Sequence, residues 1–147
     1  MIQSIFHINI NVTNFERSLA FYQMLGFKVV ADLKEGGNPQ LDKGLQMQNG
    51  RGRASLLMLG DNPHATRIDL IEWKNPKTEG QPYPNLYHAG AARIALKTKN
   101  LPQVYEDLKA KGVEFLSEPQ ELTFPVGKAS FACFKDPDGT ILELIDF

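Results

Sequence analysis

The chain has 147 residues, enough for one ordinary domain or two small fused modules with a real core. Sixteen basic against seventeen acidic residues give a net charge of −1 with no basic stripe, so nucleic acid finds no electrostatic footprint here. No stretch approaches membrane-spanning length, and His7, Asn9 and Asn11 break the N-terminal apolar pattern, so it does not read as a signal peptide; the lone Cys133 allows no internal disulfide and points to a reducing, cytoplasmic setting.

In chain order, Phe6, Ile8, Ile10 and Val12 alternate with His7, Asn9 and Asn11, the period of a half-buried strand with a polar second face. Thr13 and Glu16 spell a capping box, T-x-x-E, and predict a helix with Phe15, Leu19 and Tyr22 on one face and Gly26 as its stop. FKVVADL then reads as a strand. Five glycines between 34 and 52 predict a mobile loop able to close on a ligand, and R-G-R at 51–53, the densest basic spot, reads as a solvated turn. Strands follow at about 53–60 and 66–73. Pro76, Pro82 and Pro84 forbid regular structure and mark a linker, 76–87, between module 1 (1–75) and module 2 (88–147). Module 2 predicts a strand at 92–98, a helix opened by N-x-x-Q (Asn100 to Gln103) with Leu101, Val104, Tyr105 and Leu108 inward, a stop at Gly112 and a strand from Val113. Strands at 127–135 and 140–146 are joined by D-P-D-G, a tight-turn sequence. The pattern is β-α-β-β-β, twice, an α+β chain.

The two halves also match residue by residue. Residues 7–27 recur without a gap at 93–113, setting His7 on Arg93, Asn14 on Asn100, Phe15 on Leu101 and Gly26 on Gly112. Residues 68–73 match 142–147, setting Asp69 on Glu143. A repeat that carries a polar residue at the same place in each copy suggests a site built twice or shared between half-folds. Four residues thus hold the question of function: His7, Asp69, Arg93 and Glu143.

The opening H-I-x-I-x-V-x-N-x-x-x-S-x-x-F-Y-x-x-L-G-F and the closing D-P-D-G-x-x-x-E-L, together with the duplication, resemble the vicinal oxygen chelate superfamily. This group includes glyoxalase I, extradiol dioxygenases, methylmalonyl-CoA epimerase and the fosfomycin- and bleomycin-resistance proteins. The resemblance covers the whole chain, 1–147, as a single domain. It implies a glyoxalase-like fold, two tandem modules forming a U-shaped half-barrel cavity, and a homodimer acting on a small organic ligand. In metal-dependent members the ligands come from each module's first and last strands, usually His, Glu or Gln, His and Glu. His7 matches the first, Glu143 the last, and Asp69 the second, one methylene shorter. At the third position, where G-H-I-A-L would stand, the sequence reads A-R-I-A-L.

Arg93 is always protonated and cannot coordinate. A guanidinium ~4 Å from a divalent ion would be repelled by about 8 kcal/mol at an effective dielectric of 20, or about 2 when fully water-screened. It can instead bridge Asp69 and Glu143 by charge-assisted hydrogen bonds. The expectation is therefore a cavity without metal or other cofactor, with His7, Arg93 and Glu143 as catalytic candidates and Arg93, Asn9, Trp73 and Phe124 as substrate-binding candidates. The alternative is a divalent ion (Zn, Ni, Fe, Mn or Mg) on His7, Asp69 and Glu143. A bland account stands beside both: His7 as a hydrogen-bonded strand residue and the acids as ion-pair partners of Arg93. Glu72 falls on the opposite strand face from Asp69 and reads as exterior. His88 reads as an exposed loop residue within reach of the cavity mouth, and His64, in D-N-P-H, as a turn residue. Three functions follow: a metal-free ligand-processing protein, a metal-dependent lyase, isomerase or dioxygenase, and a non-catalytic binder that sequesters a toxic compound.

Overall fold

The computed structural model describes residues 1–147. Eleven elements run β1 (His7–Asn11), α1 (Phe15–Met24), β2 (Lys28–Gly36), α2 (Pro39–Leu45), β3 (Arg51–Met58), β4 (Arg67–Asn75), β5 (Ile94–Lys97), α3 (Leu101–Ala110), β6 (Gln120–Phe124), β7 (Gly127–Lys135) and β8 (Ile141–Asp146). They form two four-stranded sheets, ordered β1-β4-β3-β2 and β5-β8-β7-β6, an α+β architecture. In each sheet the first strand runs parallel to the last and the other neighbours are antiparallel. The chain divides into two compact units, Met1–Gly80 and Gln81–Phe147, and the division falls in the proline-bearing segment. No helix is long and apolar enough to cross a membrane.

Within each unit one helix seals one sheet face. In the first, Phe15, Ser18 and Tyr22 of α1 are buried, with Ile10, Val12, Leu57, Ile68 and Leu70 from the strands. In the second, Leu101, Tyr105 and Leu108 of α3 are buried, as are Ala132, Phe134, Leu142 and Leu144 from the strands. Both helices end on a glycine with positive φ, +103° at Gly26 and +87° at Gly112, a conformation that a side chain disfavours.

Helix starts depart from the sequence reading. The N-cap of α1 is Asn14, whose Oδ1 accepts from the Arg17 N–H at 3.0 Å, so Thr13 and Glu16 do not form the cap. Asn100 adopts a left-handed conformation and makes no side-chain cap. Instead a strand carboxylate serves each helix. Phe15 N–H donates to Glu72 Oε2 at 2.7 Å, and Leu101 N–H donates to Asp146 Oδ2 at 3.3 Å. Glu72 thus lies opposite Asp69, as parity requires, but it is tucked against α1 rather than exterior.

The segment 34–52 is also more regular than a loop. Asn38 caps α2 by accepting from Gln40 and Leu41 at 2.9 and 3.1 Å, Pro39 presets its first turn, and Asp42 accepts from Gly50 N–H at 2.9 Å. Asn-Pro was the start signal, hidden among the glycines. Arg51 and Arg53 open β3 and pair with Glu35 and Asp32. The D-P-D-G turn forms as read: Gly139 has φ +94°, and Asp136 Oδ1 accepts from Asp138 and Thr140 N–H, each at 2.9 Å.

Candidate functional site

Strand parity sets the site in both units. The helix covers one face of each sheet, and the other face carries the polar residues of the first and last strands. In the first unit β1 lies parallel to β4 with Asn9 level with Asp69. His7 Nε2 stands 3.8 Å from Asp69 Oδ2, an ion pair when the imidazole is protonated. Asn9 Nδ2 donates to the Asp69 carbonyl at 3.1 Å, and Trp73 Nε1 donates to Asn11 Oδ1 at 3.1 Å. Asp69 Oδ1 is buried and accepts no hydrogen bond. Burial pushes the Asp69 carboxyl above its ordinary value, against the opposing pull of His7 and the Asn9 amide.

In the second unit Ala95 and Cys133 flank Glu143 in register on β5 and β7. Arg93 Nε donates to Glu143 Oε2 in a short charge-assisted hydrogen bond, and the Cys133 thiol lies 3.9 Å from the same oxygen. Glu143 is 5 % exposed, whereas the Arg93 side chain is 48 % exposed. Glu143 holds the proton on Arg93 more tightly than usual, and burial, reinforced by Glu143, pushes the Cys133 thiol up. Cys133 is therefore a neutral donor to the carboxylate rather than a nucleophile.

The structure pairs the candidates within each unit, where the sequence reading let Arg93 bridge both acids: His7 stands by Asp69 and Arg93 donates to Glu143, while Asn9 and Trp73 sit on the first unit's site face. Phe124 is on the equivalent face of the second, in line with Phe147 at 6.3 Å between ring centroids. His88 is stacked between Tyr83 and Tyr87, at 5.1 and 5.8 Å, and lies exposed. His64 holds a turn, its N–H donating to Asn62 Oδ1 at 3.0 Å. Cys133 was missed, although a four-residue turn at 136–139 places positions 133 and 143 opposite each other across the hairpin.

A divalent ion needs converging lone pairs. His7 and the unpartnered Asp69 Oδ1 could offer two, but Glu143 Oε2 is committed to Arg93, and a guanidinium has no lone pair to give. Neither unit gathers three His, Cys, Asp or Glu side chains suited to an ion. The four positions do not fit the four-ligand centre that the sequence resemblance implies, because one of them is a fixed cation.

The chain belongs to the Glyoxalase/Bleomycin resistance protein/Dioxygenase superfamily, whose pattern matches residues 4–144. It is 32 % identical to the uncharacterised protein YwkD of Bacillus subtilis strain 168, over 99 % of this chain and 98 % of that protein. Its fold is similar to that of a glyoxalase family protein from Bacillus cereus, with a TM-score of 0.84 at 12 % identity over 99 % of this chain and 95 % of the other. Glyoxalase I of Leishmania major, described as trypanothione-dependent, matches with a TM-score of 0.66 at 21 % identity, over 99 % of this chain and 87 % of that one. These two likenesses concern the fold alone.

Proposed function

We propose that this chain binds and processes a small organic molecule without a resident metal ion. The observation that carries the reading is the Arg93–Glu143 pair, a cation set at one of the four positions where metal-dependent relatives would place ligands. Arg93 spends Nε on Glu143, and its two Nη groups make no hydrogen bond within the chain. They present a fork for a substrate carboxylate or for an oxyanion as it develops. Glu143, or His7 in its own module, is then the group that moves a proton, each being an acid or base anchored to a strand.

Elemental analysis of the purified protein, followed by titration with zinc, nickel and manganese, tests this. The native chain should hold far less than one equivalent, and Arg93→His should gain divalent affinity by at least tenfold, since it removes a charge and adds a lone pair. A stoichiometric, tightly held ion in the native chain would overturn the reading. The metal-dependent lyase or isomerase is the second reading, favoured by the unpartnered Asp69 Oδ1 beside His7. Turnover separates either enzyme from a sequestering binder.

A further inference from the structure

The face of the second sheet that carries Arg93 and Glu143 is not polar throughout. Register places Ala95, Cys133 and Glu143 in one row, Phe131 and Ile145 in the next, and Ala129 with Leu122 beyond, ending at Gly127 and Phe124. Phe147 follows β8 and lies against Phe124. Leu122 is 41 % exposed, Phe124 42 % and Phe147 54 %, large apolar side chains left open on the same sheet face, two to three rows beyond Glu143. Contiguous exposed apolar surface of this kind marks a contact site rather than ordinary protein surface.

Charge on this face favours an anion. Glu143 is neutralised by Arg93 Nε, and Lys135 is taken by Glu114 at 2.6 Å. Lys97, on the same face of β5 and in register with Ile145, is exposed and makes no ion pair. Arg93 and Lys97 against Glu143 leave one positive charge in excess. From Glu143 to Phe147 is four residues along an extended strand, roughly 13 Å, the length of a fused-ring or medium-chain acid.

We infer that this site takes an organic anion with an apolar body, the anionic head on the Nη groups of Arg93 and the body along Ile145, Phe131 and Phe147. The inference rests on the metal-independent reading of Arg93 and adds the substrate class. Small hydrophilic acids would use only the head contact. A neutral apolar compound would leave the cationic fork without its partner.

Calorimetric titration of the full chain, treated with chelator, with 2-naphthoate, acetate and 2-naphthamide tests it. Naphthoate should bind at least about tenfold tighter than either of the others. Arg93→Gln should abolish the preference for naphthoate over naphthamide, and Phe131→Ser, one row from Glu143 on the neighbouring strand, the preference for naphthoate over acetate. The Arg93 side chain is 48 % exposed and Phe147 is 54 % exposed, so Phe147→Ser serves where Phe131→Ser fails to fold. Equal binding of acetate and naphthoate, equal binding of the amide, or no binding at millimolar concentration would each overturn the inference. So would light scattering in which Phe131→Ser splits a larger assembly and leaves naphthoate affinity intact, since the apolar strip would then join copies of the chain. A tightly bound ion in the native protein refutes the metal-independent reading instead, so the two failures are distinct.

Discussion

The energetic weight of the Arg93–Glu143 pair is measurable by a double-mutant cycle of Arg93→Ala, Glu143→Gln and the two together. Opposite charges with centres ~4 Å apart attract by about 4 kcal/mol at an effective dielectric of 20 and about 1 in water. The Glu143 side chain is 7 % exposed and that of Arg93 48 %, so the pair lies between these limits, near 2 kcal/mol. Arg93→Ala removes that attraction and leaves a buried carboxylate with only the Cys133 thiol beside it. A destabilisation of about 2 kcal/mol should lower Tm by roughly 4–8 °C in a protein of this size. Glu143→Gln should cost less, about 1 kcal/mol, because the half-exposed guanidinium can turn to water. In the double variant no charge is stranded, so the two costs should not add, and the coupling should be about 1–2 kcal/mol. Urea unfolding at pH 7, followed by circular dichroism, reads all four states. Additivity within about 0.5 kcal/mol would mean that the two side chains are energetically independent, and the reasoning would fail.

Other consequences concern the first module. Glu72→Gln should cost about 1 kcal/mol at pH 7 by weakening the carboxylate at the start of α1, read by urea midpoint. Burial pushes Glu72 up, but the Lys74 ammonium and the Phe15 N–H outweigh it and hold Glu72 below its ordinary value, near 4.5. Its contribution is therefore present above that value and lost as pH falls through the folded one, so native and variant proteins should converge in acid. Asp69 has the opposite sign. Its folded value is raised from about 3.8, so its contribution is complete below that pH and lost as pH rises through the folded value. Asp69→Asn should therefore stabilise the chain at pH 7 and flatten its pH profile; a destabilised variant would show that the carboxylate is supported as a charge. Gly52→Ala would set a methyl 3.2 Å from Trp73 Cε3 and 3.2 Å from the Glu72 carbonyl. It should cost about 1–2 kcal/mol and shift the emission of Trp73, the only tryptophan, whereas an unchanged spectrum would refute the contact.

The fold was legible where periodicity and duplication reinforced each other. The two β-α-β-β-β runs, the glycine stops at 26 and 112 and the D-P-D-G turn follow from short-range chemistry; the structure keeps their order, but inserts α2 in the first run and starts the strand read from Val113 at Gln120, with only an isolated bridge at Phe115 before it. The helix starts were less legible, because T-x-x-E and N-x-x-Q are local signals that long-range partners displaced: Glu72 and Asp146 arrive from strands 57 and 45 residues away. In the same way α2 was masked by glycine content, although Asn38-Pro39 carries its own start signal. At the site, parity put His7, Asp69, Arg93 and Glu143 on the faces they occupy. Which acid each base would meet was not readable, since pairing depends on side-chain reach as well as register.

The two modules use the same strand grammar for two separate tasks. Each last strand carries two acids three residues apart, Asp69 and Glu72 in one, Glu143 and Asp146 in the other, so the members of each pair point to opposite faces. The acids on the helix side do the same work twice, accepting the first N–H of α1 and of α3. Those on the other face do different work: Asp69 stands beside a titratable imidazole and keeps one oxygen unpartnered, while Glu143 is bound to a permanent cation. A purely structural role would need no such divergence, since folding of each module is already served by the equivalent contacts. In the proposed function that difference serves the ligand, with Arg93 a fixed charge that holds an anion in one module and His7 beside Asp69 in the other.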